Sequence, residues 1–105
     1  MKRKTSTLPD IFRRYNRKYF GNKLKISDVR FGNSRCLGET AFFDNCPPII
    51  VIDRKIMNYG RIVRMVLLHE MAHVSMSDAV GVGHGPKFIR RMRRLVSQGA
   101  FDDLL

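Results

Sequence analysis

The chain has 105 residues, of which 44% are hydrophobic and 28% charged, an ordinary balance for a folded globular protein. Twenty Lys and Arg residues against nine Asp and Glu residues give a net charge of +11, which favours anionic partners, nucleic acid above all. No apolar run reaches the length of a membrane span, so we expect no membrane association. The length suits one domain, residues 1–105, in which residues 1–6 form a flexible basic tail.

The amino terminus and the cysteines predict the compartment. Met1-Lys2-Arg3-Lys4 leads into polar residues rather than the apolar segment of a signal peptide. We therefore expect a cytoplasmic protein, or a nuclear one if the source is eukaryotic. A monomer is the favoured oligomeric state. Thiols stay reduced in those compartments, so Cys36 and Cys46 are interpreted as small packing residues. A disulfide between them, or Cys46 as a zinc ligand, are the alternatives.

The first predicted element is a helix that Thr7 caps and Gly21-Asn22 ends. Apolar residues at helical spacing form one stripe along it: Leu8, Ile11, Phe12, Tyr15, Tyr19 and Phe20. Basic residues form the opposite face: Arg13, Arg14, Arg17 and Lys18.

Three short strands are predicted after this helix. The first covers Leu24 to Phe31, with its alternation interrupted at Ser27-Asp28, and the second covers Cys36 to Phe43. Residues 44–48 form a loop, because proline cannot donate to a strand ladder. The β-branched run Ile49-Ile50-Val51-Ile52 is the third strand. Because the connections are brief, we predict an antiparallel three-stranded sheet.

Helices dominate the second half of the chain. Residues 53–58 are predicted to hold one helical turn, and a long central helix runs from Gly60 to about Ser77. That helix is apolar on nearly all sides, which is typical of a helix buried between layers. A last helix runs from Pro86 to about Gln98 and stops at Gly99. Its inner face is Phe88, Met92, Leu95 and Val96. This order of elements predicts an α+β fold with helices packed on a small sheet.

A metal-binding motif lies in the central helix. His69-Glu70-Met71-Ala72-His73 has the pattern H-E-x-x-H, and residues four apart on a helix share one face. Two imidazoles there can hold one Zn²⁺ per chain, and Glu70 can act as general base on a water that the metal activates. The motif predicts a zincin-like hydrolase.

His84 is the predicted third zinc ligand. The metzincin pattern would need Gly and His at positions that hold Met76 and Ala79. The only glutamates are Glu39 and Glu70, so no downstream glutamate is available as a ligand. A third histidine would leave one coordination position open for water, as in catalytic zinc sites.

Other residues of the site are less defined by the sequence. Tyr59 is a candidate for stabilising the oxyanion, but a packing role is favoured. A peptide would add as a strand to the sheet edge beside the zinc helix, either Cys36–Phe43 or another strand. Glu39 could face the cleft, but the solvent face is favoured.

The segment Leu67-Leu68-His69-Glu70-Met71-Ala72-His73, followed by a link and His84-Gly85-Pro86-Lys87-Phe88, resembles the core signature of the SprT-like (Spartan-type) metalloprotease family. Tyr19-Phe20-Gly21-Asn22-Lys23-Leu24 is similar to the family's helix-to-strand junction. The resemblance covers residues 8 to 97. It implies a zinc metallopeptidase with ligands His69, His73 and His84 and with Glu70 as catalytic acid and base. It also implies substrates that are associated with DNA or crosslinked to it.

Two basic faces are predicted to contact single-stranded or non-specific DNA through phosphate neutralisation. One is Lys87, Arg90, Arg91, Arg93 and Arg94 on the last helix, and the other is the basic face of the first helix. Phe42, Phe43 and Tyr59 could stack on bases, although core packing is favoured for Phe42 and Phe43. Two alternatives to a DNA-directed peptidase remain: a nucleic-acid-binding module with a non-catalytic zinc site, and a metallopeptidase for one dedicated protein target.

Overall fold

The computed structural model describes residues 7–76 and 85–104, and these residues form an α+β fold. Helix α1 (Leu8–Tyr19) precedes strands β1 (Asp28–Gly32), β2 (Gly38–Ala41) and β3 (Ile49–Asp53). A short 3-10 turn (Arg54–Ile56) leads to helices α2 (Gly60–Ser75) and α3 (Pro86–Ser97). The predicted class and the order of elements are confirmed. The basic tail, residues 1–6, lies outside the described residues.

Helix α1 begins where the sequence predicts it, because its first turn forms a reciprocal cap. The backbone N–H of Asp10 donates to Oγ1 of Thr7 at 3.3 Å, and the N–H of Thr7 donates to the Asp10 carboxylate at 3.2 Å. Hydrogen bonds from the side chain and the backbone N–H of Thr7 to the carboxylate lower the pKa of Asp10. Leu8, Phe12 and Phe20 bury the apolar stripe in the core.

The sheet is mixed, so the prediction of an antiparallel sheet is wrong for one of its two pairings. The strand order is β1-β3-β2; β2 runs antiparallel to β3, but β1 runs parallel to it. Five residues, 33–37, connect β1 to β2. They can span roughly 17 Å when extended, more than the roughly 10 Å across one intervening strand. A brief connection therefore does not require that the strands it joins be neighbours.

The first two strands are also shorter than predicted. β1 begins at Asp28 rather than Leu24, because Leu24 forms two hydrogen bonds with the Asn16 side chain instead of pairing in the sheet. β2 covers only Gly38–Ala41, so Phe42 and Phe43 lie beyond its end and are about half exposed. The expectation that these two rings pack in the core is wrong.

Helix α2 is the centre of the core. It contacts β2, β3, the 3-10 turn, α1 and α3, and Leu67, Leu68, Met71 and Ala72 are fully buried. Phe88 and Leu95 bury one face of α3 against it, but Val96 is 58% exposed, contrary to its predicted inner position. Gly99, with φ +82, ends α3 as predicted. The turn that follows returns Phe101 and Leu104 to the core.

Asn16 joins α1 to the chain that enters the sheet. Its Nδ2 donates to the Leu24 carbonyl at 3.0 Å, and its Oδ1 accepts from the Leu24 N–H at 3.1 Å. Asn16 is only 6% exposed, so both bonds form away from solvent. These two hydrogen bonds hold the end of α1 beside the segment that leads into β1.

We expect Asn16→Ala to lower the free energy of unfolding by about 2 kcal/mol, because two hydrogen bonds are removed and the Leu24 groups are left without their partner. Urea unfolding followed by circular dichroism measures the change. Arg17→Ala, an exposed neighbour on the same helix, should change stability by less than about 0.5 kcal/mol. Equal effects of the two substitutions would contradict this role of Asn16.

Candidate functional site

The two histidines of the H-E-x-x-H motif lie one turn apart on α2, as the spacing predicts. The ring centroids of His69 and His73 are 4.9 Å apart, with the rings tilted edge to face. Phe88 of α3 packs on both: its centroid lies 4.4 Å from His73, nearly stacked, and 5.0 Å from His69. The aromatic ring thus restricts the orientation of both imidazoles.

This arrangement is compatible with a shared zinc ion. Two imidazole nitrogens on one tetrahedral Zn²⁺ lie about 3.3 Å apart, which places the ring centroids about 5 Å apart. The observed 4.9 Å between His69 and His73 agrees with that distance. His84 lies outside the described residues, so its assignment as third ligand stays a prediction. Residues 7–76 and 85–104 contain no cluster of three metal-ligating side chains.

The motif glutamate is buried, and a residue of the sheet forms a hydrogen bond to its carboxylate. Glu70 is 6% exposed, and Oγ1 of Thr40, on β2, donates a hydrogen bond to its Oε1 at 2.7 Å. A buried carboxylate is costly unless it is hydrogen-bonded, so this bond offsets part of the desolvation of Glu70. Thr40 could not be identified from the sequence, because it lies 30 positions from Glu70 and only the packing of β2 on α2 brings the two residues together.

Gly38 allows that close packing. A Cβ at this position would lie 2.5 Å from Cγ1 of Val66 and 3.4 Å from Cγ of Glu70, both on α2. Since real Cβ atoms essentially never approach other heavy atoms to 2.5 Å, a side chain at this position would force Val66 or the strand to shift. Gly38 and Thr40 alternate with Glu39, which is exposed and points to the opposite face. The solvent-face prediction for Glu39 is confirmed.

A cleft of about 350 Å³ opens beside these residues. His69 and Glu70 line it together with residues from the β1–β2 connection, β2, α2, α3 and the carboxy-terminal turn: Cys36, Leu37, Gly38, Met65, Val66, Met92 and Phe101. Apart from His69, Glu70 and Cys36, the residues that line the cleft have apolar side chains or are glycine. These wall residues could not be identified from the sequence, because five separate segments contribute them.

Other predicted site residues lie elsewhere. Tyr59 is 61% exposed at the amino-terminal end of α2, about 15 Å along the axis from His69, so the packing role is wrong and an oxyanion role is not supported. Cys36 and Cys46 are free and exposed, so they neither pair nor act as packing residues.

The basic residues of α3 divide between two sides of the helix. A groove of about 290 Å³, here called the basic groove, is lined by Met76, Lys87, Arg90, Arg91 and Arg94. Arg93 instead lines an apolar groove with Phe88, Ile89, Met92, Val96 and Ser97, so the prediction of one face for all five residues is wrong. Helical geometry explains the division: residues 87, 90, 91 and 94 lie within an arc of about 100° around the helix, and residue 93 lies about 60° beyond residue 90, outside that arc.

The basic surface also extends beyond α3. Arg91 lines a second groove of about 310 Å³ together with Lys23 and Lys25, which the sequence analysis did not single out. The guanidinium carbon of Arg91 lies 5.9 Å from the Phe20 ring centroid, at the junction between the two grooves. On α1, Arg13, Arg14, Arg17 and Lys18 are exposed as predicted, although Arg13 is paired with Asp10.

Fold and site together define an α+β domain that carries H-E-x-x-H on a buried helix, with the motif glutamate beside a cleft. Residues 8–102 match the model of the SprT-like family, and the chain belongs to that family. The domain is therefore metallopeptidase-like, from a family that is generally associated with zinc. No curated protein shows significant similarity to the chain. None of the helices within the described residues is long and apolar enough to cross a membrane.

We expect Gly38→Ala to destabilise the fold by about 1–3 kcal/mol, because the new methyl group overlaps Val66 and forces either that side chain or β2 to shift. Gly60→Ala is the matched control, since a Cβ at Gly60 has no neighbour within 4 Å. That control should leave stability unchanged or raise it by up to about 1 kcal/mol. The midpoints of urea unfolding of the two variants measure the difference. A Gly38→Ala variant as stable as the control would refute the close approach.

Proposed function

We propose that this protein is a zinc-dependent endopeptidase in which His69, His73 and His84 hold one Zn²⁺ and Glu70 is the general base. The observation that carries the proposal is the placement of Glu70: its carboxylate is buried and tied to Thr40, yet it lines the same cleft as His69. Membership of the SprT-like family supports the same assignment.

Each residue has a defined chemical task in this proposal. Zn²⁺ held by the three histidines would supply a Lewis acid that lowers the pKa of water and polarises the scissile carbonyl. Glu70 would accept a proton from the attacking water and pass it to the amine that leaves. Phe88 would keep the imidazoles of His69 and His73 in their orientation.

The peptide substrate would add as a strand to β2. The sheet has β1 and β2 at its two edges, and β2 is the edge strand that packs against α2 and the motif. Within the described residues only one side of β2 is paired, so its outer side can hydrogen-bond an extended peptide. Side chains of that peptide would enter the largely apolar cleft formed by Leu37, Met65 and Met92. An extended substrate must be locally unfolded.

DNA-associated or DNA-crosslinked proteins are the substrates that the charge favours. The basic groove on α3 presents four cations, Lys87, Arg90, Arg91 and Arg94, and Arg91 connects it to Lys23 and Lys25. Such a surface would bind single-stranded or non-specific DNA and bring the cleft near proteins on it. Phe42 and Phe43, about half exposed, are available to stack on bases. A nuclear or cytoplasmic location and a monomeric state stay predictions.

Glu70→Gln should lower the rate of cleavage of an unfolded protein substrate by about 10²–10⁴-fold, because the general base is removed. Zinc content, measured by atomic absorption, should stay near one per chain, whereas His69→Ala should remove the metal. Glu39→Gln is the matched control, since Glu39 is the other glutamate of the chain and its exposed side chain faces away from α2. Undiminished cleavage by Glu70→Gln would refute the mechanism.

Removing Lys87, Arg90 and Arg94 together should weaken single-stranded DNA binding and reduce the slope of log K against log salt by about 0.7 for each phosphate that is no longer neutralised. Fluorescence anisotropy over a salt series measures both the affinity for DNA and the slope. Arg93→Ala, from the other side of α3, should change the slope much less.

The same measurements separate the alternative functions. Tight DNA binding without cleavage of any protein would favour a nucleic-acid-binding module. Cleavage insensitive to DNA and salt would favour a dedicated protein target.

A further inference from the structure

One hydrogen bond joins the edge of the sheet to the motif glutamate. Thr40 sits at the third position of the four-residue strand β2, and its hydroxyl donates to Oε1 of Glu70 at 2.7 Å. The distance is typical of a strong hydroxyl-to-carboxylate bond. Because this bond spans β2 and α2, the position of the carboxylate depends on where the strand lies.

The surroundings of Glu70 make that dependence strong. Gly38 lies beside the carboxylate: a Cβ added at this glycine would be 3.5 Å from Oε2 of Glu70, an ordinary contact distance. The same added Cβ would lie 2.5 Å from Cγ1 of Val66, one turn earlier on α2. The glutamate carboxylate thus lies beside the strand, where the Thr40 hydroxyl donates a hydrogen bond to one of its two oxygens.

We propose that Thr40 is the positioning residue for the general base: its hydroxyl holds the Glu70 carboxylate at the border of the cleft, in register with a peptide added to β2. The proposal rests on the proposed function. A general base must lie within hydrogen-bond reach of the proton that it removes, and a misplacement of about 1 Å costs about 10²-fold in rate. Thr40 acts through Glu70 and does not itself touch the reacting atoms.

The location on β2 gives this bond a second consequence. The backbone of Thr40 belongs to the edge strand that would pair with the peptide, while its side chain points toward α2. One residue therefore links the position of the substrate backbone to the position of the base. A purely structural role would be different, since the hydroxyl would then only satisfy a buried carboxylate and add to stability.

The test compares Thr40→Val, which keeps the shape and removes the hydroxyl, with Thr40→Ser, which keeps the hydroxyl. In steady-state cleavage of a quenched fluorescent peptide by the zinc-loaded full chain, Thr40→Val should lower kcat by about 10–100-fold. KM should change by less than about twofold, because the hydroxyl does not contact the peptide. Thr40→Ser should recover kcat to within about threefold of the unaltered protein. Zinc content should be the same in all three proteins.

A double substitution separates positioning from a general effect on the fold. In the Glu70→Gln background, Thr40→Val should lower kcat by less than about twofold further, because the base through which Thr40 acts is already absent. An independent, multiplicative decrease would overturn the proposal, and so would a Thr40→Val variant with unchanged kcat. If Thr40→Val does not fold by circular dichroism, Thr40→Ala serves in its place with the same expected outcome.

If the proposed function is wrong, the cleavage rates of the variants follow a different pattern. In that case the unaltered chain and Glu70→Gln would show the same rate, and Thr40 would have no base to position. If the unaltered chain cleaves much faster than Glu70→Gln, the comparison of Thr40→Val with Thr40→Ser and the double substitution decide whether Thr40 positions the base.

Discussion

The contact between β2 and α2 at Gly38 is the constraint on which the candidate site depends. Because Gly38 has no Cβ, Val66 of α2 can occupy the space that a side chain on the strand would need, and Glu70 lies beside the same position. That proximity brings the Thr40 hydroxyl to 2.7 Å from the Glu70 carboxylate. It also makes β2 one wall of the cleft that His69 and Glu70 line. The cleft wall, the position of the Glu70 carboxylate and the strand edge beside them therefore all depend on the contact between β2 and α2.

Helix α2 carries both the stability and the chemistry of the domain. Leu67, Leu68 and Met71 are fully buried and fix the helix between the sheet and the other two helices. His69 and His73 project from the same turns, where Phe88 of α3 packs on their rings. Because side chains locked by packing hold a more constant geometry than side chains on loops, a metal or catalytic site gains precision from such a position.

Local patterns predicted the helices well and the sheet only in part. The cap at Thr7, the glycine at 99 and the 3.6-residue periodicity act within a few residues, so the ends of α1, α2 and α3 lie close to their predicted positions. The parallel pairing of β1 with β3 was missed, because strand direction depends on which strand occupies the middle of the sheet. The apolar strand β3 takes that position, where Ile50 and Ile52 are fully buried.

The sequence by itself determined the H-E-x-x-H motif, its place on a helix and the family, since these depend on residue identity and short spacing. For Glu39 the sequence favoured the solvent face over the cleft, and the structure confirms that preference. Only the tertiary structure decided that Thr40 meets Glu70, that Arg93 leaves the basic groove and that Arg91 joins it to Lys23 and Lys25. Those contacts join residues far apart in the chain, and such contacts arise from the packing of whole elements, which no local pattern encodes.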